Sequence, residues 1–528
     1  MGLAFVRHLR SPLDPDPEGT IRSHMENREK HFLAITRKVL SDAGHPYARM
    51  FRIAGCTLAD AEASVARRGV EDTLQALLEA GVYLTQDEMR GRREIVRHGE
   101  HIPATPASWD NERGRGPVVN TSSGSSSGKS FHTTQSLNYL VNLEACCQLM
   151  VHELDVEYRP GIQVAPILPG YGLLGALLAD RLRIGFERWY AIGGVSRANL
   201  HYRVATRCIA AQMRLFGAKV PNPTYLDQND FRPAAEYLAR LSGEGAGAVI
   251  SGFVSSVSRV AAAAVDEDLD VAGAIAIVAG EALTDVKRHV IESAGISVYP
   301  TYGASDIGSI GYPCRHMSRG NSVHIFRHGI ALAVNRQATA DWAGGPVDSL
   351  YATPLLPFAP RHLINAEIGD TGLIEEASCD CTFTRLGFNL QVRDIAAISK
   401  VTAQGMTIAA GELVQILEER MPARFGGRPG DYQLIEAEGA AQTEMVLRIR
   451  PGACDVSAED VLAYFLSETR GLYGGSMSAM AWAHSRGVRV ELAPPVLSAT
   501  GKFRAVRLLG PGVAATGDQR RSLMAAAR

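Results

Sequence analysis

VVNTSSGSSSGKSFH, residues 118–132, sets Gly124 and Gly128 around three serines and follows them with Lys129-Ser130. A phosphate-binding Walker A loop reads G-x-x-x-x-G-K-[ST]. Here only Ser125, Ser126 and Ser127 separate the glycines. The ring of backbone N–H groups that wraps a phosphate depends on loop length, so the missing residue counts against a Walker A loop. A Ser/Gly-rich run also has the composition of a flexible linker. The flanks argue the other way. GPVVN has the β-branched character of a strand, and LNYLVNLEACCQLMVHEL has helical apolar spacing. A turn between strand and helix would present N–H groups and hydroxyls to an anion.

The 528 residues suffice for two to four domains. Apolar residues make up 46% and charged residues 21%, which suits a globular protein with a sizeable core. A net charge of −2 gives no global attraction for nucleic acid. No run of about 18 apolar residues predicts a membrane span. The opening MGLAFVRHLRSPLDPDPEG lacks the apolar core and cleavage site of a secretory signal. Eight cysteines in so long a chain do not form a disulfide scaffold, and a reducing, cytoplasmic setting is expected.

Residues 24–100 read as helical and polar. From the serine loop onward, strands and helices alternate: AGAVISGF then SSVSRVAAAAV, GAIAIVAG then TDVKRHVIESAG, and then ISVYPTYG. That order predicts an α/β fold with a largely parallel sheet and helices on both faces. After about residue 395 a helix, a hairpin (DYQLIEAEG and EMVLRIRPG), another helix and a strand predict a small α+β domain. The expected division is a large domain over 1–395, with 1–115 mostly helical and 116–395 α/β, and a small one over 396–528.

Four further segments carry polar residues at strand ends or turns: AIVAGEALTDVK with Gly280 and Glu281, YPTYGASDIGS with Tyr302, Gly303 and Asp306, AEIGDTGLI with Gly369 and Asp370, and PPVLSATGKFRAVR with Gly501 and Lys502. Each alone has a plainer reading: a turn, a packed tyrosine or a solvated lysine. Together and in this order they resemble the adenylate-forming (acyl-activating) enzyme superfamily. Its phenylacetate–CoA ligase-like branch, with the acyl-protein synthetase relatives, is the nearest in pattern. HPYARMFRIAG, LLEAGVYLTQDEMRGR, GYGLLGALLADRLRIGFERW and GMTIAAGELVQILE are similar to that branch along nearly the whole chain.

The resemblance implies a large α/β domain, a mobile small domain, and ATP with Mg2+ as cofactors. It implies that a carboxylic acid (aryl, arylacetic or fatty) is activated as acyl-AMP. Coenzyme A is then the expected acceptor, with an amine, a carrier protein or a protein thiol as alternatives. The serine loop departs from the superfamily's usual phosphate loop by one extra residue and by lacking a proline before a lysine. On this reading Ser122, Ser123, Gly124, Ser125, Ser126 and Gly128 would hold the β- and γ-phosphates, with Gly280, Glu281 and Gly303 also at the nucleotide. Tyr302 would stack on adenine and Asp370 would accept from the ribose hydroxyls. Asp306 stands where a glutamate is usual and would hold magnesium. Lys502 would meet the α-phosphate and the substrate carboxylate, and Arg393 would precede the hinge. Phe253 and Ala304 would line the acyl pocket.

Cys314, His324 and the C-x-C pair Cys379 and Cys381 are matched in some members of that branch, and three thiolates with an imidazole suit tetrahedral zinc. His316 competes as fourth ligand, and free buried cysteines are the plainer alternative. Two other classes stay open from the sequence: a P-loop-like kinase or NTPase, and a catalytically inactive binding homologue.

Overall fold

The computed structural model describes residues 3–508 apart from 117, 123–130, 169, 193–199, 228–229, 246, 305, 318–320, 340–345, 399, 404–405, 440–441, 454–456, 473–474, 486 and 497–502. The chain opens with helices, as its periodicity predicts. Among them are α1 (Pro17–Glu26), α2 (Arg28–Leu40) and α3 (Leu58–Glu79). Thr57 and Asp60 start α3 with a reciprocal capping box, and Gly69, at φ +79°, bends it midway. Arg28 and Arg327 both pair with Glu71, which ties the opening helices to the body.

The serine-rich stretch has a different frame from the one its flanks suggest. Val118–Ser122 (β1) pairs antiparallel with Phe131–Gln135 (β2), with Ser122 opposite Phe131. The loop therefore closes a hairpin, and the helix α4 (Leu137–Leu154) begins only after β2, with Ser136 accepting from the Tyr139 N–H. The Thr133-Thr134 pair explains the extra strand, since β-branched residues favour extended backbone.

A six-stranded sheet follows: β3 (Pro160–Pro166), β4 (Gly185–Ile192), β5 (Pro223–Tyr225), β6 (Val249–Phe253), β7 (Ile275–Ala279) and β8 (Ser297–Pro300). Its order is β8-β7-β6-β3-β4-β5, and every pairing is parallel. The crossovers include α5 (Gly172–Arg181), α6 (Leu200–Leu215), α7 (Arg232–Ser242), α8 (Val254–Asp266) and α9 (Asp285–Ser293), the last capped by Thr284. Along β4 alternate residues serve opposite layers: Tyr190 and Ile192 pack with α7 and α8, Trp189 and Ala191 with α5.

The sequence ISVYPTYG splits at Thr301. Its first half ends the parallel sheet, and Tyr302–Ala304 (β9) begins a seven-stranded antiparallel one. The others are β10 (Gly308–Tyr312), β11 (Val323–Ile325), β12 (Ile330–Thr339), β13 (Pro346–Pro354), β14 (Ala366–Glu376) and β15 (Leu390–Ala397), in the order β9-β10-β11-β15-β14-β13-β12. Its core is continuous with that of the opening helices. The hairpin β16 (Lys400–Ala403) and β17 (Met406–Ala409) leads to a mixed sheet of β18 (Tyr432–Glu438), β19 (Thr443–Ile449), β20 (Val488–Leu492) and β21 (Val506–Arg507). Helices α10 (Ala458–Arg470) and α11 (Gly475–His484) accompany it. The core of this last part is drawn from Val401 to Leu508 only.

Several histidines gather, buried or half-buried, where the opening helices meet the antiparallel sheet. His328 is 1% exposed, with Nε2 3.2 Å from Asn142 Oδ1, and the His24 ring lies 6.3 Å away. Burial, then the charges of His24, Arg28 and His31, hold His328 down at about 3, and burial holds His362 at about 4. Free imidazole titrates near 6.5, so falling pH protonates the unfolded chain first. Their contribution to stability is complete above about pH 6.5 and declines toward those folded values. Thermal melts should show the midpoint falling between pH 7 and pH 5, and His328→Gln should flatten that fall. A midpoint unchanged across this range would contradict the assignment.

Candidate active site at the carboxyl edge of the parallel sheet

The chain runs outward from β3 to β4 and β5, then returns to lay down β6, β7 and β8 on the other side. The carboxyl ends of β3 and β6 therefore flank a switch in direction, the place where open α/β sheets bind ligands. Tyr171 follows β3 and Phe253 ends β6, and their rings meet edge to face at 5.2 Å. The sequence points to Phe253 and carries no local signal for Tyr171, which lies within GYGLLG. Its hydroxyl is buried without a hydrogen-bond partner among the described residues. Burial, then the Glu281 charge, raises its pKa.

Gly280 lies at the end of β7 with φ +80°, and a Cβ there would come within 2.8 Å of the Phe253 ring. Glu281 accepts from the Ser255 N–H at 2.7 Å and the Ser255 hydroxyl at 2.8 Å. It thereby caps the start of α8, where a negative charge is favourable. Glu281 fixes the turn carrying Phe253, a positioning contact that its sequence role at the nucleotide did not include.

Tyr302 is the second residue after β8 and donates its hydroxyl to Asp370 Oδ2 at 3.0 Å. Burial first, then the Asp370 charge, raises the Tyr302 pKa well above the usual phenol range, so it remains a donor. Asp370 lies within β14 and not in a turn as GDTG suggests. Gly369, at φ +80°, and a register slip beyond Thr371 deform the strand there. Gly303 and Ala304 continue β9 from Tyr302.

Asp306 is 6% exposed and its Oδ2 lies 2.6 Å from Arg90 Nη2. Its Oδ1 is buried without a hydrogen-bond partner among the described residues. Arg361 is also buried, and the Asp306 charge partly offsets the lowering of its pKa by burial. Neither arginine was named from the sequence, because a pair 216 residues apart has no local signature. Arg393 lies on β15 opposite Leu373 and pairs with Glu375 at 3.0 Å and with Asp394, which adopts φ +55°.

Ser123, Gly124, Ser125, Ser126, Gly128 and Lys502 lie outside the described residues, and of Ser122 only the backbone pairing is described. Just beyond Lys502, Gln433 donates its side-chain N–H to the Arg504 carbonyl at 2.8 Å and β21 pairs parallel with β18.

Cys314, His324, Cys379 and Cys381 come together, their ligand atoms all within 4.8 Å of one another. Both Cys379 Sγ and Cys381 Sγ lie 3.3 Å from His324 Nε2. His324 Nδ1 is 2.9 Å from the Phe388 carbonyl, which takes the ring's N–H and leaves Nε2 facing the sulfurs. His316 is not in the group. The four residues come from the end of β10, from β11 and from the β14–β15 connection.

No protein-family model matches the sequence, and no curated protein matches it. Among solved structures, the chain is similar to a 2-hydroxyisobutyryl-CoA ligase in the postadenylation state, at 14% identity, with 95% of this chain and 92% of that one covered and a TM-score of 0.45. It is similar to a malonyl-CoA ligase in complex with methylmalonyl-CoA and AMP, at 15% identity, 84% and 95% coverage and a TM-score of 0.42. A third likeness is to an NRPS protein containing adenylation and PCP domains, at 14% identity, 78% and 62% coverage and a TM-score of 0.40. These are loose likenesses, and the functional reading rests on the residues.

Gly280→Ala tests the geometry at the switch point. The strained φ and the contact with Phe253 should together destabilise the fold by about 1–3 kcal/mol, read by denaturant unfolding. A neutral substitution would mean that the Phe253 ring is not held where described.

Proposed function

We propose that the chain is an adenylate-forming ligase. It attaches AMP to a carboxylic acid with release of pyrophosphate, then passes the acyl group to a thiol or amine, coenzyme A first among them. The observation that carries this reading is the Tyr302–Asp370 pair, just past the carboxyl end of β8 and so at the same edge of the parallel sheet as the ends of β3 and β6. It combines an aromatic face with an oriented carboxylate at the edge of the sheet where open α/β folds bind ligands. These are the groups a nucleoside needs, one for the base and one for the ribose hydroxyls.

The chemistry explains the residues. A carboxylate is a poor acyl donor because oxide would have to leave. Attack of its oxygen on the α-phosphorus of ATP breaks the bond to pyrophosphate and leaves AMP as the leaving group for the second step. Charge gathers on the phosphate in the transition state, so catalysis is positioning and electrostatics. On this reading Tyr302 presents its ring to adenine while its hydroxyl orients Asp370 toward the ribose. Phe253 and Tyr171 bound the acyl side, with Ala304 beside them, and Gly280 and Glu281 hold the Phe253 turn. The serine loop, residues 122–128, takes the outer phosphates. Lys502 comes from the small domain, over 396–528, to the α-phosphate and the carboxylate, with the chain turning after Arg393.

Magnesium would supply charge neutralisation at the phosphates. Asp306 suits it in having one buried oxygen without a hydrogen bond among the described residues, and Arg90 fixes the other. Zinc fits the three cysteines and His324, a closed set of four ligands that leaves no position for substrate and so implies a structural role. The Arg90–Asp306 pair also favours a second reading, a relative that binds nucleotide without adenylating, because it restrains the carboxylate expected at the metal.

ATP–pyrophosphate exchange with a panel of aryl, arylacetic and fatty acids separates the readings. A ligase exchanges only with its acid, a kinase releases ADP, and a binding relative does neither. Lys502→Ala should slow adenylation by about 10²–10³, and Asp370→Asn should raise the KM for ATP by roughly 10–100-fold. An unchanged single-turnover rate in the first, or an unchanged KM in the second, removes that residue from the site. Protein purified without added metal should carry about one equivalent of zinc, and Cys381→Ser should lower both zinc content and thermal midpoint. Metal-free protein of full stability would leave the cluster as free thiols.

A further inference from the structure

Helix α6 presents to solvent a side that the fold leaves uncovered. Its inner face is Thr206, Ala210 and Met213. On the outer face Leu200 is 53% exposed, Val204 54% and Leu215 78%, and Cys208 and Ala211 between them are exposed as well. The steps of four, four, three and four residues align all five in one stripe along the helix. Of the large apolar side chains more than half exposed among the described residues, three are on this one helix, and the others, Tyr158, Val265 and Leu492, lie at separate places in the chain. The helix also carries Arg203, Arg207 and Arg214 and no aspartate or glutamate. Arg203 and Arg207 lie over the Tyr225 ring at 4.7 and 5.8 Å, and Arg214 donates to the Val220 carbonyl at 3.0 Å. Their charges thus stay beside the stripe.

We propose that α6 is a docking surface for an acidic amphipathic helix of a partner protein. Charge complementarity selects this occupant. An apolar seam flanked by arginines, with no carboxylate of its own, matches a helix whose leucine stripe is bordered by glutamates. A second copy of this chain matches poorly. The stripe is symmetric about residues 207 and 208, so two-fold pairing would set Arg207 close to its own copy. Sixteen residues also span only about 24 Å, and one such crossing falls in the size range of transient contacts, not of obligate dimers. The complex is therefore weak, of micromolar affinity, and sensitive to salt. This surface is independent of the adenylation reading, and binding is measured without turnover.

The test uses the full chain and a synthetic 20-residue helical peptide with a leucine stripe and glutamates elsewhere, beside the same peptide with lysines for the glutamates. Modification of Cys208 by a maleimide, located by peptide mass mapping, reports occupancy. The glutamate peptide should slow it, and the lysine peptide should not. Affinity should fall about tenfold or more between 50 and 500 mM salt, and by a similar factor in Arg207→Glu and Leu215→Ser, both surface changes whose folding is checked by melting. Equal protection by both peptides, or by neither, overturns the proposal. So does protection by vesicles of phosphatidylcholine and phosphatidylglycerol but not by peptide, or protection that appears only as the protein self-associates.

Discussion

Parallel strands cannot be joined by tight turns, and that constraint organises this molecule. Each pair from β3 to β8 needs a crossover, so all six carboxyl ends emerge at one edge. The reversal between β5 and β6 then opens a gap between the helices on that edge. Phe253, Gly280, Glu281 and Tyr302 come from the ends of three successive strands and share one edge of the sheet for this reason alone. Glu281 shows the dependence most directly. Its hydrogen bonds to Ser255 exist only because β6 and β7 pair in parallel, which brings the start of α8 beside the end of β7.

The antiparallel sheet meets this edge through curvature. Tyr302 is on the edge strand β9, and Asp370 is on β14, four strand spacings away. In a flat sheet they would stand about 19 Å apart, farther than a tyrosine reaches. A hydrogen bond of 3.0 Å therefore requires the sheet to curl on itself. The slips in register within β9–β10 and β14–β15 loosen the ladder where the curl is needed. The cysteine–histidine cluster ties the end of β10, β11 and the β14–β15 connection together, which is the part of the sheet between the two partners. A tetrahedral metal there would hold the curl, and with it the Tyr302–Asp370 pair.

What the sequence disclosed follows how local the signal was. The parallel strands were legible because strands buried on both faces read as short apolar runs, as in AVISGF and AIAIVAG. The helix caps at Thr57 and Thr284 announce themselves within four residues. Strand β2 was not legible, because the serine tract before it and the apolar helix behind it dominate the pattern. Tyr171 was passed over because nothing in GYGLLG marks an aromatic that will face Phe253. Arg90 was beyond reach, since its partner is fixed only by the tertiary fold. The metal cluster was readable as residues, but only the fold shows that Cys314 and His324 arrive beside Cys379 and Cys381.

The Arg90–Asp306 pair bears on how this site handles charge. A free glutamate would bring a full negative charge to a cation at the phosphates. Asp306 is one methylene shorter and shares its charge with Arg90, so it attracts a cation less. The arginine returns part of that loss, since it places a buried positive charge beside the same carboxylate, and Arg361 lies close enough for Asp306 to bear on its titration. Asp110 also bears on Arg361, so the buried guanidinium groups of Arg90 and Arg361 stand among two carboxylates, Asp306 and Asp110. Compared with a lone glutamate, this arrangement moves electrostatic work from the metal ligand to the protein's own fixed charges. Fixed charges need no reorganisation when charge develops on the phosphate. Under the proposed function the shorter acid is compatible with adenylation, because Arg90 and Arg361 supply fixed positive charge beside it.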